Sequence, residues 1–413
     1  MIPIEKMYVG IDVSKRSLMA HAMDQDGKDI FHSFNIKNNK PGCNKLIDFI
    51  YKHANQSDFE SIKIAMEATN VYWEHSYRLI NNSEKLNSNF KLSTHILNPK
   101  VVRNFKDAYN SLPKTDSIDA WVIADKIRFN RVPEPAIPEE VYRPLRELTR
   151  FRYKLIKNIR SEKNRALSLV FLKFSNLEEE APFDVFSEAS MTILESFTLE
   201  EIADKDLKNL AAFLYENSNN RLAGSASLNE IITDLKKAAR NSYRLKPKRN
   251  QAITQTLSMT FDNIRFLQRQ LKRSKKVLKR ELKAIPQTLD TVDGIGVVLT
   301  SGIIAEIGDI DRFDNQAALA SYAGLTWTKH QSGSFVAEET SMTKTGNKYL
   351  RYYLVEAANS LRVHNDEYRK YYYKKYYESQ KHKHKRALVL TARKFVRLVF
   401  ALLSKGEIYQ PRR

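Results

Sequence analysis

Tyr8-Val9-Gly10-Ile11-Asp12-Val13 is an apolar run interrupted by one acid. A short apolar stretch rich in β-branched residues reads as a buried strand, and a carboxylate inside it is out of place unless something pairs with it. Ile62–Glu67 repeats the pattern: an apolar run that ends on an acid. Asp116 and Asp119 lie in a stretch of helical character, and their offset of three (119 − 116) puts both on one face. Asp125, nine residues beyond Asp116 (125 − 116), turns roughly to the opposite face at about 100° per residue. It is therefore left out of the candidate set. Asp24, Asp26 and Asp29 are expected in a hairpin turn, where acids are common.

Around these runs the first 130 residues alternate strands and helices. Tyr8–Val13, Ser17–Met23 and Asp29–Ile36 read as three strands, with Asp26-Gly27 as a hairpin turn. Pro41 opens a helix to about His53. Ile62–Glu67 is a fourth strand, Asn70 caps a helix to about Ile80, and Phe90–Leu97 is a fifth strand. A helix from Pro99 and another over Asp116–Phe129 complete the set. Three antiparallel strands followed by alternating helix and strand is the order of an RNase H-like α/β fold. In that fold the first strand, the end of the fourth and a late helix converge at one edge of the sheet.

Pro133, Pro135 and Pro138 predict a boundary. Beyond it, Tyr142 to Phe174 and Thr256–Ile285 read as long helices with apolar stripes and basic outer faces, able to pair as an antiparallel coiled coil. Arg146, Arg150 and Arg152 fall on the first basic face. The expected domains are 1–135, 140–285 with a helical insertion over about 176–250, and a mostly helical 286–413. Val292-Asp293-Gly294-Ile295-Gly296 reads as a glycine hairpin entering a helix, suited to a phosphate or to plain packing. Between Tyr368 and Arg386, tyrosines interleave with cations, a pattern that stacks bases or packs on neighbouring helices.

Composition narrows the chemistry. The 413 residues carry 68 Lys and Arg against 48 Asp and Glu, a formal charge of +20, which favours a polyanionic partner. The single cysteine, Cys43, excludes a disulfide framework and a multi-thiolate zinc site and fits a reducing cytoplasm. No charged-then-apolar leader and no membrane-length apolar stretch stand out. Ala387 to Leu403 is interrupted by Arg393, Lys394 and Arg397 and reads as an amphipathic helix. Carboxylates at strand ends and along a facing helix suit a hard divalent cation such as Mg²⁺, with Mn²⁺ as an alternative. In a basic chain this points to metal-assisted phosphoryl transfer on nucleic acid.

Tyr8–Lys15 (YVGIDVSK), Ala65–Trp73 (AMEATNVYW) and Lys114–Ala120 (KTDSIDA) resemble the signature blocks of the DEDD transposases of insertion sequences, a family that includes the Piv-like DNA invertases. Gly294-Ile295-Gly296, Ala305–Phe313, Leu319–Leu325, Ser332-Gly333 and the block from Lys344 to Arg351 resemble its C-terminal half. The resemblance covers about 1–175 and 255–404. It implies a RuvC-like domain holding Mg²⁺ through Asp12, Glu67, Asp116 and Asp119, and a C-terminal serine that attacks a DNA phosphate. Ser332 matches the serine best; Ser341 and Thr343 are the other candidates. Lys329, Lys344, Lys348 and Arg351 are the expected nucleic-acid contacts. The family further implies DNA and a structured noncoding guide RNA as partners. Strand exchange needs several active sites around paired DNA and long coils are natural contact surfaces, so a homo-oligomer, dimer or tetramer, is expected, in the cytoplasm at the nucleoid. The competing readings are a RuvC-like structure-specific nuclease using water, a non-catalytic nucleic-acid-binding protein, and a tyrosine recombinase suggested by His75-Ser76-Tyr77-Arg78.

Overall fold

The computed structural model describes residues 5–57, 59–109, 112–129, 140–180, 184–217, 227–327, 331–332, 335–336, 342–343 and 345–411. The chain divides into two compact units, Met1–Ile137 and Pro138–Arg413. The expected boundary prolines Pro133, Pro135 and Pro138 lie outside the described residues.

The first unit is a mixed α/β domain. Its strands are β1 (Lys6–Val13), β2 (Ser17–Met23), β3 (Asp29–Lys37), β4 (Ser61–Glu67) and β5 (Lys91–Leu97). Its helices are α1 (Lys40–Gln56), α2 (Glu74–Asn81), α3 (Glu84–Asn87), α4 (Pro99–Lys106) and α5 (Asp116–Arg128). The sheet order is β3-β2-β1-β4-β5. β1 pairs antiparallel with β2, and β2 with β3; β1 runs parallel to β4, and β4 to β5.

β1 is central and covered on both faces, which explains its unbroken apolar run. Met7, Val9, Ile11 and Val13 join Leu46, Ile47 and Ile50 of α1 in one cluster. Tyr8 joins Val122, Ile123 and Ile127 of α5 in the other. Side chains alternate along a strand. Gly10 and Asp12 therefore share the α5 face with Tyr8, as Glu67 shares it with Ala65.

One sequence expectation shifts here, and one short helix was not expected. The helix expected from Asn70 begins at Glu74, because Asn70 takes a left-handed conformation (φ 52°) in a turn instead of capping. The short α3 is set by Ser83, whose hydroxyl accepts from the Leu86 amide.

The second unit is mostly helical. It contains α6 (Arg143–Lys173), α7 (Leu177–Glu180), α8 (Glu188–Ser196), α9 (Leu199–Asp204), α10 (Leu207–Asn217), α11 (Ser227–Asn241) and α12 (Pro247–Leu282). These are followed by α13 (Val297–Ile307), α14 (Gln316–Tyr322), the strand pair β6 (Gln331–Ser332) and β7 (Phe335–Val336), α15 (Lys348–His364), α16 (Asp366–Glu378) and α17 (Lys383–Lys405).

α6 and α12 lie antiparallel. Leu145 clusters with Leu278 and Leu282 at one end, and Ala166 and Val170 with Leu257 and Phe261 at the other. α12 starts nine residues earlier than the heptad pattern suggests (256 − 247), because Pro247 suits a first helical turn. α8 to α11 pack on the far end of this pair, and α13 to α17 surround the near end. Arg152 of the expected basic face turns inward, donating to Leu271 O (3.0 Å) and Ser274 Oγ (3.2 Å). In α16, Tyr368 and Tyr372 are buried and Tyr373 and Tyr377 exposed, so packing and solvent divide the tyrosines. Among the described residues, no helix is long and apolar enough to cross a membrane.

Candidate active site

Asp12 and Glu67 sit at the carboxyl ends of adjacent parallel strands, one step beyond the paired residues Ile11 and Met66. Neighbouring strands lie about 4.8 Å apart, so the two acids emerge side by side on the α5 face. Gly10 lets α5 approach. A Cβ there would lie 2.1 Å from Ala120 O and 2.3 Å from Ala124 N, so only glycine allows this contact. The close crossing brings the first turn of α5 over Asp12. Thr115 caps that turn, its side chain accepting from the Ile118 amide. Asp116 and Asp119 are its acids.

The electrostatics reflect this convergence. Burial, then Asp116, Asp119 and Glu67 in turn, push the Asp12 carboxyl up to about 6, against a lowering by the Val13 amide. Burial and the nearby Asp119 also raise Glu67, while Thr69 lowers it. Carboxylates from β4 and α5 thus come close enough to β1 to raise Asp12.

Lys106, at the end of α4, places Nζ 2.6 Å from Asp119 Oδ1. Among the described residues, the group of three metal-ligating donors within 4.8 Å of one another is His21, Asp29 and His32; the four carboxylates stand wider. The donor set itself, hard carboxylate oxygens at a half-buried position, fits a magnesium-type ion. Asp125, in contrast, is buried against Arg128 (2.8 Å) and the Tyr109 hydroxyl and faces away from this group.

In the second unit, Ser332 pairs through its backbone with Phe335 in the β6–β7 hairpin. The Ser332 side chain, Ser341, Lys329 and Lys344 lie outside the described residues. Thr343 is bound to Thr326, amide to carbonyl at 2.9 Å and hydroxyl to hydroxyl at 3.0 Å. Lys348 is exposed. Arg351, expected as a nucleic-acid contact, donates to Ala323 O (3.0 Å) and packs on Gly324. There Gly324 and Gly346 cross too closely for any side chain: a Cβ on Gly346 would lie 2.3 Å from Gly324 N.

Two groups escaped the sequence reading. Glu306 is fully buried, held by Arg150 through two bonds (2.7 and 2.9 Å), by Arg146 (3.4 Å) and by Asn347 Nδ2 (2.8 Å). Arg146 and Arg150 are therefore not a free basic face. Asn347 also caps α15, so Glu306 joins α6, α13 and the loop entering α15. The second group is His21, Asp29 and His32. The glutamate stands in the AEIGDIDRF block, but an isolated acid in an apolar helix carries no partner in sequence.

The chain matches two family models. An IS110-type DEDD transposase model matches residues 9–174, and a model of the transposase IS116/IS110/IS902 family matches residues 286–373. An uncharacterized 44.8 kDa protein of insertion element IS116 from Streptomyces clavuligerus is 24% identical over 98% of this chain and 97% of its own length. The transposase of insertion sequence element IS1111A from Coxiella burnetii is 29% identical over 32% of this chain and 38% of its own. A pilin gene-inverting protein of Moraxella bovis is 38% identical over 17% of this chain and 22% of its own. With both halves matched, the chain belongs to the IS110/IS116 family of DEDD transposases and site-specific recombinases, enzymes that cut and rejoin DNA.

Proposed function

We propose that this chain is a Mg²⁺-dependent DNA transposase whose N-terminal unit is an RNase H-like, RuvC-like domain. The observation that carries the reading is the placement of Asp12 and Glu67 at the carboxyl ends of neighbouring parallel strands, on the face covered by α5, which carries Asp116 and Asp119 in its first turn. The strand order and pairing support the RNase H-like assignment, and the antiparallel α6–α12 pair supports a coiled coil. The proposed domains are 1–135, 140–285 and 286–413.

Asp12, Glu67, Asp116 and Asp119 would hold the cation. Bound Mg²⁺ supplies charge stabilisation at the attacking and leaving oxygens of a phosphodiester. Ser332 is the proposed nucleophile. Its Oγ forms a bond to phosphorus as a P–O bond of the DNA backbone breaks, its proton leaves, and the departing oxygen ends as a hydroxyl. Attack of the same DNA hydroxyl on the phosphoserine restores the strand and attack of another joins a new one; in both cases the Oγ–P bond breaks and Ser332 recovers a proton as a free hydroxyl. The net charge of +20 supports a polyanionic partner, and the family resemblance makes DNA and a structured guide RNA the proposed partners. Strand exchange at paired ends calls for a homo-oligomer in the cytoplasm.

The test is strand cleavage and joining on DNA carrying the element ends, with Mg²⁺ and co-transcribed flanking RNA. Asp12→Asn abolishes both steps. Ser332→Ala abolishes joining and the covalent protein–DNA species. A Ser332→Ala protein that still cuts DNA would replace the serine by water and favour a structure-specific nuclease. Cleavage unaffected by Asp12→Asn or by chelator would overturn the carboxylate site.

A further inference from the structure

β3 is irregular where it passes β2. Between the pairs Ala20–Phe34 and Ala22–Phe31, two steps of β2 oppose three of β3 (34 to 31). Between Ala22–Phe31 and Met23–Asp29, one step opposes two (31 to 29). Ser33 has φ 37°, in the left-handed region that a serine seldom enters. Two bulges close together sacrifice ladder bonds, and bulges characteristically re-aim side chains.

Here they bring Asp29 and His32 together. In a regular strand an offset of three would put them on opposite faces. Asp29 instead reaches two histidines at once: Oδ1 lies 2.7 Å from His21 Nε2 and Oδ2 lies 3.3 Å from His32 Nδ1. One ligand atom from each residue lies within 4.8 Å of the others. Around a tetrahedral ion with bonds of about 2.0–2.1 Å, donors stand about 3.3 Å apart, so small side-chain shifts suffice. His21 is buried, paired with Gly10 on the α5 face, while the His32 side chain is 73% exposed and leaves an open approach.

We propose that His21, Asp29 and His32 form a second metal site, separate from the four carboxylates, for a borderline divalent ion such as Zn²⁺. Two imidazoles and one carboxylate are a zinc-type donor set; magnesium prefers oxygen donors. The site has a structural consequence. Ser33, next to His32, touches the Ser117 hydroxyl in the first turn of α5. An ion at the bulge would fasten β3 against the turn that carries Asp116 and Asp119.

The experiment uses the full chain, stripped with chelator and returned to saturating Mg²⁺, then titrated calorimetrically with Zn²⁺. One equivalent should bind. His32→Ala, at an exposed position that does not threaten folding, and Asp29→Asn should each weaken it by at least about tenfold. Asp12→Asn should leave it unchanged. Absence of a Zn²⁺ equivalent, or one that both bulge variants retain, would overturn the site. Hydrogen exchange reads the fastening: Zn²⁺ should slow exchange across residues 116–119 in the native chain and not in His32→Ala. Equal exchange with and without Zn²⁺ would overturn the fastening role. Neither readout depends on DNA cleavage, so failure here and failure of the transposase reading are distinguishable.

Discussion

Lys106 Nζ and Asp119 Oδ1 stand 2.6 Å apart, the lysine arriving from the end of α4 and the aspartate from the first turn of α5. Both side chains are largely shielded, 19% and 30% exposed. The ammonium partly neutralises an acidic cluster that would otherwise repel itself. Lys106→Ala should therefore destabilise the metal-free protein by about 1 kcal/mol. Saturating Mg²⁺ should remove most of that difference, since the ion meets the same need. Thermal melts of the two proteins with chelator and with Mg²⁺ check this; an equal deficit in both buffers would count against a shared role.

The raised Asp12 carboxyl makes stability pH-dependent. In the folded chain it ionises at about 6, against an ordinary 3.8. Between those values the folded state holds a proton that the unfolded chain has released. This contribution is present at low pH and lost as pH rises through 6. Asp12→Asn keeps the neutral form at every pH. In metal-free buffer its stability relative to the native sequence should rise by about 2 kcal/mol between about pH 4 and pH 7. Urea unfolding at the two pH values measures it. A constant difference would mean that neither burial nor the neighbouring carboxylates raise Asp12 in the folded chain.

Gly10→Ala should drive α5 off β1, because a Cβ there lies 2.1 Å from Ala120 O. Backbone cannot yield as a side chain does, so the expected loss is at least about 2–3 kcal/mol, together with Mg²⁺-dependent cleavage. Gly296→Ala, where a Cβ meets nothing within 4 Å, is the contrasting case and should lose no more than about 1 kcal/mol, the loss coming from alanine's poorer fit at the N-cap of α13.

Glu306→Ala would leave Arg146 and Arg150 without their buried partner and Asn347 Nδ2 with only the Tyr322 hydroxyl to donate to. Breaking a buried pair from one side costs about 3–5 kcal/mol. Urea midpoints should fall accordingly, and Glu306→Gln should lose less, since it still accepts a bond from Asn347.

β1 and β4 were legible because strands covered on both faces demand apolar runs, the Asp26-Gly27 turn marked β2 and β3, and Asp12 and Glu67 stood out as acids that such runs do not explain. The spacing of Asp116 and Asp119 likewise needed only helical periodicity. What sequence hid were relationships between elements. Lys106 and Asp119 pair across a loop, and no local pattern announces it. Asp29 read as a turn acid because Asp26-Gly27 stands close by; its two histidines become neighbours only through bulges that leave no mark in composition. Arg146, Arg150 and Arg152 looked like solvent-facing cations because their partners, Glu306 and α12 backbone, lie over a hundred residues away. Pro247 set the start of α12, where a heptad count alone placed it later.

Anomalous scattering from crystals of the full chain grown with Mn²⁺ tests the carboxylate site most directly. The expected result is manganese density among Asp12, Glu67, Asp116 and Asp119, with Lys106 displaced from Asp119. Manganese found elsewhere, with those four side chains unligated and Lys106 still on Asp119, would contradict the assignment of the N-terminal unit as a metal-dependent DNA-cutting domain.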